Sequence, residues 1–273
     1  MRRAVKGAAA AAAALAFLAA PAVAQTPTAG KFRLSLGYDG RLLVKVLDMT
    51  LEQTADANGF TSSARLKSYG ILAAFKKLDQ RASAAGIIRG GEAFPREFHH
   101  QNIDGKKNRK VDVTWTGSDV VTQANPSYGK KLGDPPASRA QKLEATDPLT
   151  QLMRMSLADS QGEFCRGSRK FFDGKQRYDL EFLGRQTPVA SAREKRLGLV
   201  NPVRCTVRFK EVAGFKRKKP GEENQGLKRP IVIGFAQYGR GGPWVMSFID
   251  AETPLGHAVI DLQRLKTSGD TPD

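Results

Sequence analysis

The chain has 273 residues, with 44 lysines and arginines against 27 aspartates and glutamates, for a formal net charge of +17. That length suffices for one large β domain or two smaller ones. Two cysteines and three histidines, with no HExxH or CxxC spacing, exclude the common zinc and redox frameworks.

The first 24 residues read as an export signal. Met1-Arg2-Arg3 and Lys6 give a basic start, Ala8 to Ala20 carry no charge, and Ala22-Val23-Ala24 supplies the small-x-small cleavage pattern. The apolar run is too short and too alanine-rich to span a bilayer, and no later segment is long and apolar enough to do so. The expectation is a soluble, Sec-exported protein of the periplasm. In that compartment the basic excess points to anionic envelope components rather than nucleic acid, or simply to solubility and protected sheet edges. Cys165 and Cys205, with no histidine nearby, are expected to form one structural disulfide.

Beyond a flexible stretch at 25–30, one β-rich domain is expected over 31–265, followed by a disordered tail at 266–273. Phe32, Leu34, Leu36 and Tyr38 alternate with polar residues, as a half-buried strand requires. Asp39-Gly40 is read as the next turn, before a second alternating strand carrying Leu47, Met49 and Leu51. Strands are also expected at 60–69, 94–102 and 109–115, with a short helix at 70–78. The segment 117–145 is rich in proline, glycine and polar residues and is read as a long loop. Thr146-Asp147-Pro148-Leu149 opens a helix, since Asp or Thr can cap it and proline suits its first turn. Further strands are expected at 166–172 and 175–183 around Asp173-Gly174, then at 203–212, 231–238, 244–249 and 257–262. About ten strands and one helix predict a mainly β fold: one antiparallel sheet, strongly curved or spiral and nearly a barrel, with the helix covering or plugging it.

Thr146-Asp147-Pro148-Leu149, Cys165, the run Phe172-Asp173-Gly174-Lys175-Gln176-Arg177-Tyr178-Asp179-Leu180, Cys205 and Ala213-Gly214-Phe215 occur in that order. This run resembles an exported bacterial family, domain of unknown function 3108. Ser68-Tyr69-Gly70 and Gln80-Arg81-Ala82 also fit, so the likeness spans roughly residues 30 to 265. The resemblance implies a spiral β-sheet with one bridging disulfide, related in architecture to envelope-integrity proteins. It implies no reaction and no cofactor.

Candidate chemistry is sparse. His99 and His100 are adjacent and point to opposite faces of a strand, so no metal site is expected. Asp173, Asp179 and Glu181 lie on one hairpin, and Asp179 and Glu181 share a strand face that could hold an acid/base pair, although any solvated strand shows the same alternation. Arg177-Tyr178-Asp179 is expected to hold the hairpin near the disulfide. A concave apolar face is expected to be lined by Leu36, Leu47, Met49, Val113, Trp115, Phe182, Phe209 and Phe248, with a lipid, hydrophobic peptide or lipoprotein segment as ligand. Basic tips at Lys106, Lys107, Arg109 and Lys110, and at Lys216, Arg217, Lys218 and Lys219, could instead meet anionic wall or membrane material. The reading that follows is a non-enzymatic binding or envelope-maintenance protein. The alternatives are a surface-binding scaffold or chaperone and, less favoured, a carboxylate-dependent hydrolase.

Overall fold

The structure, a computed structural model, describes residues 31–75, 77–103, 108–158, 164–216, 229–253 and 256–269. The expected export signal and the stretch at 25–30 lie outside these residues, as do Lys106, Lys107, Arg217, Lys218 and Lys219.

Among the described residues, thirteen strands form one antiparallel sheet. They are β1 (Phe32–Arg41), β2 (Lys45–Ala55), β3 (Gly59–Ser68), β4 (Asp79–Arg89), β5 (Glu92–Asn102), β6 (Lys110–Trp115), β7 (Val120–Asn125), β8 (Ser168–Phe172), β9 (Arg177–Gln186), β10 (Leu199–Ala213), β11 (Ile231–Tyr238), β12 (Trp244–Thr253) and β13 (Gly256–Gly269). In space the order runs from β7 back to β1, then from β13 back to β8. Two meanders are therefore joined where β1 pairs with β13, from Phe32 opposite Gly269 to Arg41 opposite Val259. The outer strands β7 and β8 are not paired with each other, so the sheet curls without closing.

Alternation decides which face is buried. On β1, Phe32, Leu34, Leu36 and Tyr38 are buried, while Arg33 and Ser35 are exposed. Full burial of one such side chain contributes about 1.5–3 kcal/mol. The Tyr38 hydroxyl is satisfied inside the core, donating to Met246 O at 3.0 Å.

Among the described residues, four helices accompany the sheet: α1 (Gly70–Phe75), α2 (Arg139–Leu143), α3 (Pro148–Ser156) and α4 (Ala192–Arg196). Of these α3 is the plug expected from the sequence. It packs against β3, β4 and β5 on one side and against β8 and β12 on the other, so the concave face of the curled sheet wraps it.

The gap between β7 and β8 is filled by the segment expected to be a loop. It carries β7, a 3-10 turn at Gly129–Lys131 and α2, the last held by a reciprocal capping box between Ser138 and Gln141. Its backbone is anchored, with Asp134 N donating to Phe215 O at 2.9 Å and Gly214 N donating to Pro135 O at 2.8 Å. Thr146 then adds a single parallel bridge to the free edge of β8. Thr146 N donates to Lys170 O at 3.1 Å, and Phe172 N donates to Thr146 O at 2.9 Å. From the other side of the gap, Trp115 Nε1 donates to Ala145 O at 3.3 Å.

Three further boundaries differ from expectation. The expected tail begins inside β13, which continues to Gly269 because its last residues pair with Phe32 to Leu36. Asp39-Gly40 is no turn but part of β1, where Gly40 lies against the Leu47 side chain. The chain reverses instead at Leu42-Leu43-Val44. The strand β4 was not expected at all.

Cys165, just before β8, and Cys205 in β10 stand at disulfide distance, with sulfurs 2.01 Å apart. Both are buried. The link passes over β9, whose Arg185 is the ladder partner of Cys205.

Candidate functional site: an apolar cavity beside the plug helix

The cavity begins with the start of α3. Asp147 caps it by accepting from Thr150 N at 2.8 Å and from the Thr150 hydroxyl at 2.5 Å, and Pro148 occupies the first turn. Burial pushes the Asp147 carboxyl up, against the opposing pull of these hydrogen bonds. At its far end, Ser156 Oγ donates to Gln53 Oε1 at 3.0 Å, and Arg154 Nε donates to Ala93 O at 2.7 Å. The helix is thus fastened at both ends while its flank is left facing the sheet.

Between that flank and the strands lies a half-open cavity of about 310 Å³. Leu149, Leu152 and Met155 form the helix side, while Leu180, Ile233 and Ile249 stand among the strand residues opposite. Gln151, Arg169 and the Tyr178 hydroxyl are the polar members of an otherwise apolar and aromatic lining. One end is walled by an aromatic stack in which Phe171 lies 5.0 Å from Tyr178, and Tyr178 lies 5.0 Å from Phe209. The Arg169 guanidinium sits 5.9 Å from the centre of the Phe182 ring, a cation–π distance.

Of the eight side chains expected to line a concave face, the structure places Met49 and Phe182 in this cavity. Phe209 backs it through Tyr178. Leu36 and Val113 are packed into the core instead, and Leu47 lies against Gly40. Trp115 lines a separate depression with Phe94, Arg96 and Arg154. Phe248 faces the outside, beneath Arg204 at 4.4 Å. The cause is a register shift between Gly234 and Phe235, which breaks the alternation of β12 and turns Ile249 inward in its place. Leu51, Ala64, Ile233, Met246 and Ile249 were missed as lining residues, although their strands were expected; the two-residue repeat was legible but the bulge was not.

The expected basic clusters are only partly described. Arg109 donates to Pro126 O at 2.7 Å and lies 4.2 Å from the Tyr128 ring, so it braces the seam segment.

The carboxylates are engaged. Asp179 accepts from Arg177, and Glu181 pairs with Lys210 at 3.3 Å. Asp173 is held by the amides of Lys175 and Gln176, at 2.9 and 2.6 Å, and burial pushes its carboxyl up. Its turn is pressed against β6, where a side chain in place of Gly174 (φ +90°) would run into Val111.

Ser83, His99 and Asp112 are ladder partners across β4, β5 and β6, and Asp112 Oδ1 lies 2.6 Å from His99 Nδ1. This row has the residue types of a nucleophilic triad. It lies in the middle of paired strands, whose backbone N–H groups are spent on the ladder rather than gathered into an oxyanion hole. His99 Nε2 is directed at Glu97, 3.8 Å away. The arrangement is a row of polar side chains on one face of the sheet. His100, next in sequence, is half-buried on the opposite face, where burial lowers its pKa and the charge of Asp173 opposes that shift. No cluster of three or more potential metal ligands occurs among the described residues, and no described helix is long and apolar enough to cross a membrane.

No protein-family model matches the chain. No curated protein matches it in sequence. Among solved structures it is similar to a β-barrel-like protein of domain of unknown function 1849 from Brucella abortus. The two are 12% identical with a TM-score of 0.47, over 89% of this chain and 99% of that one.

Proposed function

We propose that this chain is an exported, non-enzymatic binding protein of the periplasm that holds an apolar ligand beside α3. The observation that carries the reading is the half-open cavity of about 310 Å³, whose only polar side-chain groups besides the Tyr178 hydroxyl belong to Gln151 and Arg169. Small-molecule sites typically begin at about 300 Å³ and combine an apolar wall with few polar groups. A single acyl chain or the apolar side chains of an extended peptide suit that volume and lining. The basic start, apolar run and cleavage pattern of residues 1–24 support export, and the cysteine pair at disulfide distance fits an oxidising compartment.

Membership of domain of unknown function 3108 is part of the same proposal. Its support is that the residues of the resemblance have structural work in this fold: Asp147 caps the plug, Gly174 meets β6, and Gly214 meets the seam segment.

The test is binding of a fluorescent fatty acid by the purified protein, paired with organic extraction of protein recovered from the exported fraction. Ala64→Phe, which fills the cavity, should weaken probe binding by at least about tenfold, because the site is small. Recovery of no apolar molecule, together with probe binding indifferent to Ala64→Phe, would remove the reading.

A further inference from the structure

We infer that one end of the sheet, formed by the β1–β2 turn and helix α1, docks on phospholipid bilayers containing anionic lipid by inserting Leu43 and Val44. This goes beyond the cavity reading and does not depend on it.

The turn is the first observation. It reads Arg41-Leu42-Leu43-Val44-Lys45, and Leu42 N donates to Val44 O at 3.1 Å. Tight turns are ordinarily built from Gly, Asn, Asp, Ser and Pro, each for a conformational reason. Here three aliphatic side chains occupy the reversal, with Leu43 100% and Val44 59% exposed. A fully exposed leucine contributes no burial to folding, so the fold does not explain it. Other exposed apolar residues, such as Leu183 and Val189, are scattered singly and need no explanation.

Helix α1 is the second. It adjoins the turn through β2, with Tyr69 N donating to Val46 O at 2.7 Å. Its six residues, Gly-Ile-Leu-Ala-Ala-Phe, carry no charge and no polar side chain. A surface helix in water shows a polar face; this one has none to show, yet Ala74 is exposed and Leu72 and Ala73 are only half-buried.

The third is the surrounding collar. Arg41 and Lys45 bracket the turn, and Lys77 follows the helix, exposed and with no carboxylate partner among the described residues. Tyr69 is 49% exposed, with Lys45 Nζ 4.5 Å from its ring centre. Apolar tips ringed by cations and a tyrosine suit the headgroup boundary, where long basic side chains reach phosphate while their stems stay apolar. Lys45 is also held by Asp39 and Asp48, and Arg41 by Asp261. The local charge is therefore partly compensated, and apolar insertion carries the larger share of binding. The formal net charge, +17 for the full chain and +14 without Arg2, Arg3 and Lys6 of the expected export signal, supplies long-range attraction to an anionic surface.

The test is flotation of the purified full chain with vesicles of phosphatidylethanolamine and phosphatidylglycerol, mixed at roughly 3:1, and with phosphatidylcholine vesicles lacking anionic lipid. The full chain should float with the first set. Leu43→Asp should reduce that partition at least about tenfold while its melting temperature stays within about 2 °C, since the side chain touches nothing in the fold. Leu43→Trp should show emission shifted to shorter wavelength on mixing with the anionic vesicles, an effect local to the turn whatever residues 1–24 do. Unchanged partition of Leu43→Asp, or no spectral shift in vesicle-bound Leu43→Trp, overturns the inference. So does failure of the parent chain to float with the anionic vesicles.

Discussion

Arg177 Nη2 donates to Glu144 Oε1 at 2.9 Å, so a guanidinium only 1% exposed on β9 holds the end of the helix that fills the seam. The same side chain donates to Gln141 O at 3.0 Å and to Tyr178 O at 2.9 Å, and it also meets Asp179. Arg177→Met should therefore destabilise by about 2–4 kcal/mol, because several part-buried acceptors lose their shared donor. Glu144 is 42% exposed, so Glu144→Gln should cost under about 1 kcal/mol. Urea midpoints of the two variants check the contrast, and equal midpoints would contradict it.

Asp147 offers a second contrast. Asp147→Ala removes the cap of α3 and should cost about 1–2 kcal/mol. Asp147→Asn keeps an acceptor for Thr150 N and has no charge to bury, so it should cost much less. Burial raises the folded-state pKa of Asp147 above the ordinary carboxylate value. The native state then binds the proton more tightly than the unfolded chain, and stability falls as pH rises from the ordinary range through the raised one. Chemical denaturation across pH should show this decline in the parent chain and its absence in Asp147→Asn.

His100 has the opposite sign. Burial lowers its pKa below the ordinary 6.5, so on acidification the unfolded chain takes up a proton that the native state resists. The associated stability is complete above about pH 6.5 and is lost as pH falls through the depressed folded-state value, by at most about 1.4 kcal/mol per pH unit. The Asp173 carboxylate facing His100 reduces this slope without reversing it. His100→Asn should flatten the stability curve between neutral and mildly acidic pH. A variant curve as steep as the parent's would refute the assignment.

The cysteines are 40 residues apart, and closing a loop of that size stabilises by about 4 kcal/mol in the chain-entropy model. Cys165→Ser, or reduction, should lower the melting temperature by about 8–16 °C for a chain of this size. Reduced and oxidised protein melting together would show that the link carries no stability.

Much of the sheet was legible because apolar residues alternate wherever large side chains face inward, as at Phe32 to Tyr38. β4 was not legible because its inward positions include Ala82 and Ala84, which are small where α3 lies close above β3 to β5. The period-two signal fades where a helix takes the space that large side chains would fill. β7 was hidden by the prolines and glycines after it, and its partner strand β6 rather than its own composition fixes it. For the cavity, the helix and its cap were readable from Thr146 to Leu149. The outward turn of Phe248 depends on a register shift that no local pattern announces.

The β1–β13 pairing also has a consequence for the order in which the chain assembles. A chain that emerges N-terminus first presents β1 long before β13, so the first seven strands must wait with the edge from Phe32 to Arg41 unsatisfied. That edge is the centre of the finished sheet, and its inward residues are among the most buried in the molecule. Contacts this distant in sequence form slowly, and an apolar open edge invites pairing with another copy in the meantime. The topology thus requires β1 to stay protected until the fourteen-residue β13 arrives.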